Sequence, residues 1–429
     1  MGGGGVSEAS LTSKQELESL RAEFPALGTR LGGKRMVYLD NACSALKSRG
    51  MVEAMSEFYL ELGGCGGKRS THLLAQAVEA RWIECREAVA RFLNAESANE
   101  IVFTSGTTES VNLVAHGFPY TDKRREVVVS ALEHNSVFLP FHRLAEEGRI
   151  VLKLCPVRDG APDFDALREL VSEKTALVAL PRSSNVLGGE IAAAEAARIA
   201  HAKGARLLLD DAQYLSSHRE DVQASQADFV AFSAHKIGGP NGVGVLFGKE
   251  HLLNSLAPYK VGGGTVKEIA KKGKSWNARY LDAPHRFEAG VQNVAGAVGL
   301  VAAIRLLERL GHHAVRRHVG GLARRTAEAL SKLDGIRVLG SAEWLAKGAL
   351  VSFVPERKDF SPADFNLYLN HELAEHFVAV RVGEHCAHVL HRTLGIEGTV
   401  RASFFAYNSA EEGDLFVDGV RSYLREISS

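Results

Sequence analysis

Leu207-Leu-Leu-Asp-Asp-Ala-Gln213 is a short apolar run that stops on two carboxylates. Such a run reads as a buried strand whose polar tip lies at its carboxyl end. The pattern repeats along the chain. β-Branched or Leu-rich runs stand at Ile101–Phe103, Glu126–Ser130, Ile150–Leu154, Ala176–Leu180, Arg206–Leu209, Phe229–Phe232 and Val243–Phe247. Gly/Ser/Asn turns follow them, with helical stretches at Ser110–Gly117, Phe164–Glu173 and Ala192–Lys203. Strands alternating with helices imply an α/β fold, a mostly parallel sheet flanked by helices on both faces. In such sheets ligands bind beyond the carboxyl ends of the strands.

Outside this core the texture differs. Ser13–Phe24 reads as a short polar helix with Leu17, Leu20 and Phe24 at helical spacing, after a Gly-rich tail, Met1–Val6. The tail has no apolar core or cleavage site for a signal peptide and lacks the Ser or Thr of a myristoylation signal. From Val294 a long helical region, Ala295–Leu333, leads to short strands at Ile336–Val338 and Ala349–Val354 and helices near Pro362–Glu375 and Glu411–Ile427. This suggests a tail and helix at 1–34 that join a small α+β domain at 294–429, with a large domain at 35–293 between them.

Lys and Arg number 51 against 51 Asp and Glu, so no polyanion partner is implied, neither nucleic acid nor anionic membrane. The chain is 45% hydrophobic and 24% charged, an ordinary globular balance. Its longest stretch without a charged or strongly polar side chain, about Val294–Ile304, is too short to span a bilayer, which takes about 20 residues. Five cysteines without a CxxC spacing are neither a disulfide framework nor a zinc site, and a reducing, cytoplasmic setting is the default.

Three strand-end segments carry chemistry. Thr104-Ser-Gly-Thr-Thr-Glu109 offers hydroxyls and free N–H groups at a helix start, suited to a phosphate, although Thr107 or Thr108 would serve equally as an N-cap. In the second, Asp210 or Asp211 would need a cationic partner if buried, such as a protonated pyridine nitrogen; the other is a cap or solvated. Phe232-Ser-Ala-His-Lys-Ile-Gly-Gly-Pro240 holds a lysine between a histidine and a Gly-Gly-Pro turn. A desolvated lysine is partly neutral and can form a Schiff base with an aldehyde, whereas an ordinary lysine is a surface charge. No dinucleotide fingerprint or P-loop is present.

Taken together with Tyr38-Leu-Asp-Asn-Ala42, Glu133-His-Asn-Ser136, Ser184-Asn-Val-Leu-Gly188, Arg286-Phe-Glu-Ala-Gly290 and Arg381 to Ala387, the chain resembles the pyridoxal-phosphate enzymes of aminotransferase class V. Within them it resembles the group II cysteine desulfurases. The likeness runs from Tyr38 to Ser403 and implies the fold-type I transferase architecture with a seven-stranded sheet. It implies pyridoxal 5'-phosphate bound through Lys236, with Asp210 at the pyridine nitrogen, Gln213 at the phenolic oxygen and His134 stacked on the ring. Thr107, Thr108, Ser233 and His235 would hold the phosphate. Asn185 and Arg401, with Arg381, would receive the substrate carboxylate. Cys386 would be the nucleophile that takes sulfur from L-cysteine as a persulfide, with Arg381 or His385 supplying nearby positive charge. Lys236, assisted by His134, would move the Cα proton. A homodimer and a sulfur-acceptor protein, for iron–sulfur cluster or other thio-cofactor supply, are the implied partners.

Two positions depart from that pattern. Val291 stands where the family usually has a threonine reaching the neighbouring subunit's phosphate, so that contact is missing or comes from Gln292 or another group. The proline after Cys-Ala-x is absent from Cys386-Ala-His-Val-Leu390. No metal is expected, although His385, His388 and His391 near Cys386 raise the question. Cys43 and Cys65 read as structural or incidental thiols, with sulfur handling as the alternative, and Gly63-Gly-Cys-Gly-Gly67 as a turn near the active site. Lys267–Lys274 reads as a solvated loop. Other readings are a selenocysteine lyase, another class V epimerase or lyase that ignores Cys386, and a non-catalytic scaffold or metal-binding protein.

Overall fold

In the computed structural model, which describes residues 13–67 and 70–428, the seven apolar runs form one sheet. Its order is Ile101–Thr104, Gly244–Gly248, Phe229–Ser233, Arg206–Asp210, Thr175–Pro181, Glu126–Ser130, Val151–Cys155. Gly244–Gly248 is antiparallel to both neighbours, and the remaining pairings are parallel. Side-chain alternation sorts each strand between two cores. Val128, Val178, Leu207, Leu209 and Phe232 enter one, whereas Val127, Val129, Leu177, Leu208 and Ala231 enter the other. Burial on both faces is why these runs are continuously apolar. Thr104, Ser130, Pro181, Asp210 and Ser233 consequently finish at one end of the sheet.

Ala295–Leu333 is two helices, Val294–Leu310 and His312–Leu330. Gly311 separates them with a φ of +76°, a backbone state that a Cβ would disfavour. Val294–Leu310 lies on the helices Arg49–Glu61 and Leu73–Leu93. A four-stranded antiparallel sheet follows, in the order Ile336–Val338, Leu350–Pro355, Thr399–Ser403, Arg381–Gly383, and it sets Arg381 directly opposite Arg401. Lys34–Tyr38 pairs in parallel with His376–Ala379, which carries the start of the chain to the same region. The helix Lys14–Ala22, capped by Ser13, is fastened there by Arg21 on Glu412 at 2.9 Å and by Phe24, whose ring centroid is 4.6 Å from that of Tyr407. The Met1–Val6 tail lies outside the described residues.

Lys267–Lys274 is not a loop. Val266–Lys272 pairs with Ser275–Tyr280 as an exposed hairpin turning at Gly273, φ +64°. Alternation is masked there because both faces are solvated and the lysines fall on either side. Among the described residues, no helix is long and apolar enough to cross a membrane.

Candidate active site

The strand ends converge on a cavity of about 250 Å³. At one wall Ile101–Thr104 turns through Gly106 into the helix Thr107–Gly117. A Cβ on Gly244 would lie 2.3 Å from the Gly106 Cα, so this approach requires glycine at 244. The Thr107 N–H donates to Ser233 Oγ at 2.8 Å, and the two hydroxyls are also 2.8 Å apart. Thr108 Oγ1 and Ser136 Oγ, 2.8 Å apart, complete a set of hydroxyls around the helix start.

Asp210 and Asp211 diverge because successive strand residues point to opposite faces. Asp210 lines the cavity and accepts from the Ala212 N–H at 2.8 Å. Burial raises its carboxyl above the usual range, and the Lys236 amine opposes that rise. Asp211 is fully buried away from the cavity. Burial and then Glu220 push its carboxyl well up, while Arg182 opposes.

Lys236 sits in the single turn Ala234–Ile237 that follows Phe229–Ser233, and Gly238 closes the turn at φ +85°. Burial draws its amine below the ordinary lysine value, and Asp210 partly restores it. His235 is likewise held down, to about 4, by burial and then by Lys236. His134 caps the helix Asn135–Glu146 by accepting the Ser136 N–H on Nδ1 at 3.0 Å. The neutral ring therefore carries its proton on Nε2, and burial, with Lys236 and Arg401, lowers its pKa to about 4.

From the second sheet come Arg381 and Arg401, both bonded to Asp40. Arg381 Nη2 is 2.7 Å from Asp40 Oδ2, and Arg401 Nη2 is 3.2 Å from Oδ1. Arg401 Nη1 donates to the Asn185 carbonyl at 2.9 Å, whereas its buried Nε has no partner. Gln213 donates to the Ala42 carbonyl at 2.8 Å. His385 and Cys386 have φ of +51° and +54°. Left-handed backbone costs a side-chain-bearing residue about 1–2 kcal/mol. Two different elements hold this turn. The Asn135 N–H donates to the Cys386 carbonyl at 2.7 Å, and the Asn185 amide donates to the His385 carbonyl at 2.8 Å. Cys386 itself stays exposed at the cavity.

Every site residue expected from the sequence lines this one cavity: Thr107, Thr108, His134, Asn185, Asp210, Gln213, Ser233, His235, Lys236, Arg381, Cys386 and Arg401. Two readings need correction. His385 supplies no positive charge, because burial, ahead of Arg401, holds its pKa at about 2, and its Nε2 bonds Thr399 Oγ1 at 2.7 Å. Cys65 belongs to a separate cavity with Tyr59, Trp82 and Val291. His388 faces Glu384 and His391 bonds the Ala387 carbonyl, so the three histidines have divergent partners. Among the described residues, no group of three or more His, Cys, Asp or Glu is placed to hold a metal ion. Sequence reasoning missed Asp40 as the clamp on both arginines, since its partner Arg381 lies 341 positions away. It also missed Glu133, which is buried with both oxygens unpartnered and raised well above the carboxylate range by burial and then by Asp210.

The class-V aminotransferase model matches residues 37–416. The chain belongs to the aminotransferase class-V family. It is 36% identical to a cysteine desulfurase of Synechococcus elongatus, covering 95% of this chain but 63% of that protein's length. It is also 36% identical to a probable cysteine desulfurase of Streptomyces coelicolor, covering 94% of this chain and 96% of that one. The solved cysteine desulfurase CsdA of Escherichia coli superposes with a TM-score of 0.84 at 35% identity, over 95% of this chain and 98% of that one. Family members work with pyridoxal 5'-phosphate, and the donor set here fits it. Hydroxyls and a helix start suit its phosphate, the buried Asp210 suits a protonated ring nitrogen, and the buried Lys236 amine, its pKa lowered by that burial, suits its aldehyde.

Proposed function

We infer that this protein is a pyridoxal 5'-phosphate-dependent cysteine desulfurase that converts L-cysteine to L-alanine. The observation that carries the reading is the meeting of Lys236, Asp210 and Cys386 in one cavity. When bound, the cofactor supplies an aldehyde and an electron sink for the carbon beside the substrate amine. Thr107, Thr108, Ser233 and His235 would hold its phosphate, Asp210 would pair with its ring nitrogen, Gln213 with its phenolic oxygen, and His134 would lie against its ring. The free Nε of Arg401 receives the substrate carboxylate, with Asn185 and Arg381 beside it.

Lys236 moves the proton on the substrate Cα, its neutral form favoured by burial. His134 is a poor second base, since its Nδ1 is occupied by the Ser136 N–H and its Nε2 already carries the proton. The Cys386 thiolate attacks the substrate sulfur. A sulfur–sulfur bond forms, the carbon–sulfur pair stays with carbon, and protonation there yields alanine. Cys386 then offers its persulfide to an acceptor protein, in iron–sulfur cluster or thio-cofactor supply in the cytoplasm. In this reading a large lobe at 35–293 and a small lobe beginning at 294, which the described residues 13–34 join, contribute the two sides of the cavity. The exposed apolar Tyr59 and Val291, 62% and 78% accessible, support a homodimer.

The test is incubation with L-cysteine, following alanine and persulfide. Lys236→Ala is expected to lose both the cofactor's absorbance and alanine formation. Cys386→Ala is expected to keep the absorbance and lose the persulfide. Undiminished alanine formation in Cys386→Ala would refute its role as sulfur acceptor.

A further inference from the structure

The steps above leave one thiol of the cavity without a task. Of the five cysteines, only Cys43 and Cys386 line it. Cys43 follows the strand Lys34–Tyr38 on a backbone that neighbours fix. The Ala42 N–H donates to Ser403 Oγ at 2.8 Å, Gln213 donates to the Ala42 carbonyl at 2.8 Å, and the Cys43 N–H reaches the Asp40 carbonyl at 3.1 Å. A guanidinium is aimed at its sulfur. Arg381 Nη2 lies 2.8 Å from Cys43 Sγ while Asp40 orients the same group. A thiol that served only as packing would face apolar atoms. This one is the acceptor of a charged donor.

Cationic groups of the same cavity surround both sulfurs. Lys236 lies within electrostatic reach of both Cys43 and Cys386, and Arg401 within reach of Cys43. The two sulfurs differ in setting. Cys43 is pinned from three sides, whereas Cys386 is on an exposed left-handed turn.

We propose that Cys43 is a second sulfur carrier, taking the transferred sulfur from Cys386 inside the cavity. This rests on the desulfurase reading. The Cys43 thiolate attacks the terminal sulfur of the Cys386 persulfide. A new sulfur–sulfur bond forms on Cys43 as the bond to Cys386 breaks, and the electron pair leaves with Cys386 as a thiolate. One persulfide and one thiolate become one thiolate and one persulfide, so no oxidant or reductant is consumed. Cys386 is then free for a second turnover before any acceptor arrives.

The experiment uses the holoenzyme with excess L-cysteine and no reductant or acceptor, followed by alkylation and peptide mass mapping, with alanine counted in the first burst. Wild type is expected to carry an added sulfur on both the Cys43 and Cys386 peptides. Cys43→Ala and Cys43→Ser, checked for retained cofactor absorbance, are expected to halve the alanine burst while keeping the sulfur on Cys386. Cys386→Ala is expected to carry none on Cys43. Added sulfur confined to Cys386 in wild type, with the same burst in Cys43→Ala, would overturn the proposal. Added sulfur on Cys43 in Cys386→Ala would overturn the relay through Cys386. If neither alanine nor added sulfur forms in wild type, the desulfurase reading itself fails, and the proposal fails with it.

Discussion

Glu288, within the Arg286-Phe-Glu-Ala-Gly290 motif, lies outside the cavity, and its loss should act by unfolding the protein. It is 7% exposed and holds the buried Arg86 through two hydrogen bonds, 2.9 Å from Nη1 to Oε1 and 2.6 Å from Nη2 to Oε2. Its Oε1 also accepts the Phe103 N–H at 2.9 Å, and Arg86 donates to the Ile101 carbonyl. The pair therefore staples the edge strand that delivers Thr107. Glu288→Ala leaves a desolvated guanidinium without a counter-charge, a loss of about 3–5 kcal/mol. The orphaned Phe103 N–H adds about 1 kcal/mol. Against a total stability of about 5–15 kcal/mol, the variant should unfold at much lower urea concentration. Trp82, whose ring centroid lies 5.2 Å from Arg86 Cζ, is a fluorescent reporter of the same spot. The double change Arg86→Met with Glu288→Leu should recover most of the loss, because an apolar pair needs no solvation and the Trp82 and Phe103 rings already surround the site. A single variant costing under about 1 kcal/mol, or a double variant as unstable as the single, would refute the account.

Asp211→Asn should flatten the pH dependence of stability. Burial and Glu220 raise the folded-state pKa of Asp211, so above about pH 4 the folded protein keeps a proton that the unfolded chain has released. Stability then falls with rising pH by up to about 1.4 kcal/mol per unit until the raised pKa is passed, and thermal melts across pH should show this slope reduced in the variant. Gly189→Ala should cost about 1–3 kcal/mol and alter tryptophan emission, since at φ +76° its Cβ would lie 2.0 Å from Trp344. An unchanged denaturation midpoint would contradict that. His134, held at about 4, should show no imidazole titration by NMR between about pH 5 and 8, and a midpoint near 6.5 would contradict the burial argument.

The sheet is legible in the sequence because, apart from the partly exposed edge strand Val151–Cys155, its strands have both faces covered, which writes a continuous apolar run into the chain, and each run ends where the core ends. The segments around Asp210 and Lys236 are legible for the same reason, as polar residues placed directly after such a run. Other features are hidden for definite reasons. The exposed hairpin at Val266–Tyr280 buries neither face, so it carries no alternation. Asp210 and Asp211 are alike in sequence, and only the pleat decides which one meets the cavity. His385 looks cationic beside Cys386, yet its burial depends on Thr399 and Arg401 from another strand.

Asp40 shows why the second sheet matters to the chemistry. Arg381 and Arg401 are cross-strand partners, and two like charges so placed would repel. Asp40 reaches both from the segment after Lys34–Tyr38, a strand that itself pairs with His376–Ala379. One carboxylate thus allows two guanidinium groups to face the same cavity, while the Arg401 Nε remains free for an anion. Lys236, Asp210 and Arg401, proposed above to move a proton or fix charge, stand on strands or the turns directly after them, held by packing. The thiol at 386 stands on a turn whose left-handed backbone is kept by hydrogen bonds from Asn135 and Asn185. Proton transfer tolerates little misplacement, whereas a sulfur proposed to visit both substrate and acceptor would have to travel. The division between rigid strand ends and one strained, exposed turn fits those two proposed demands.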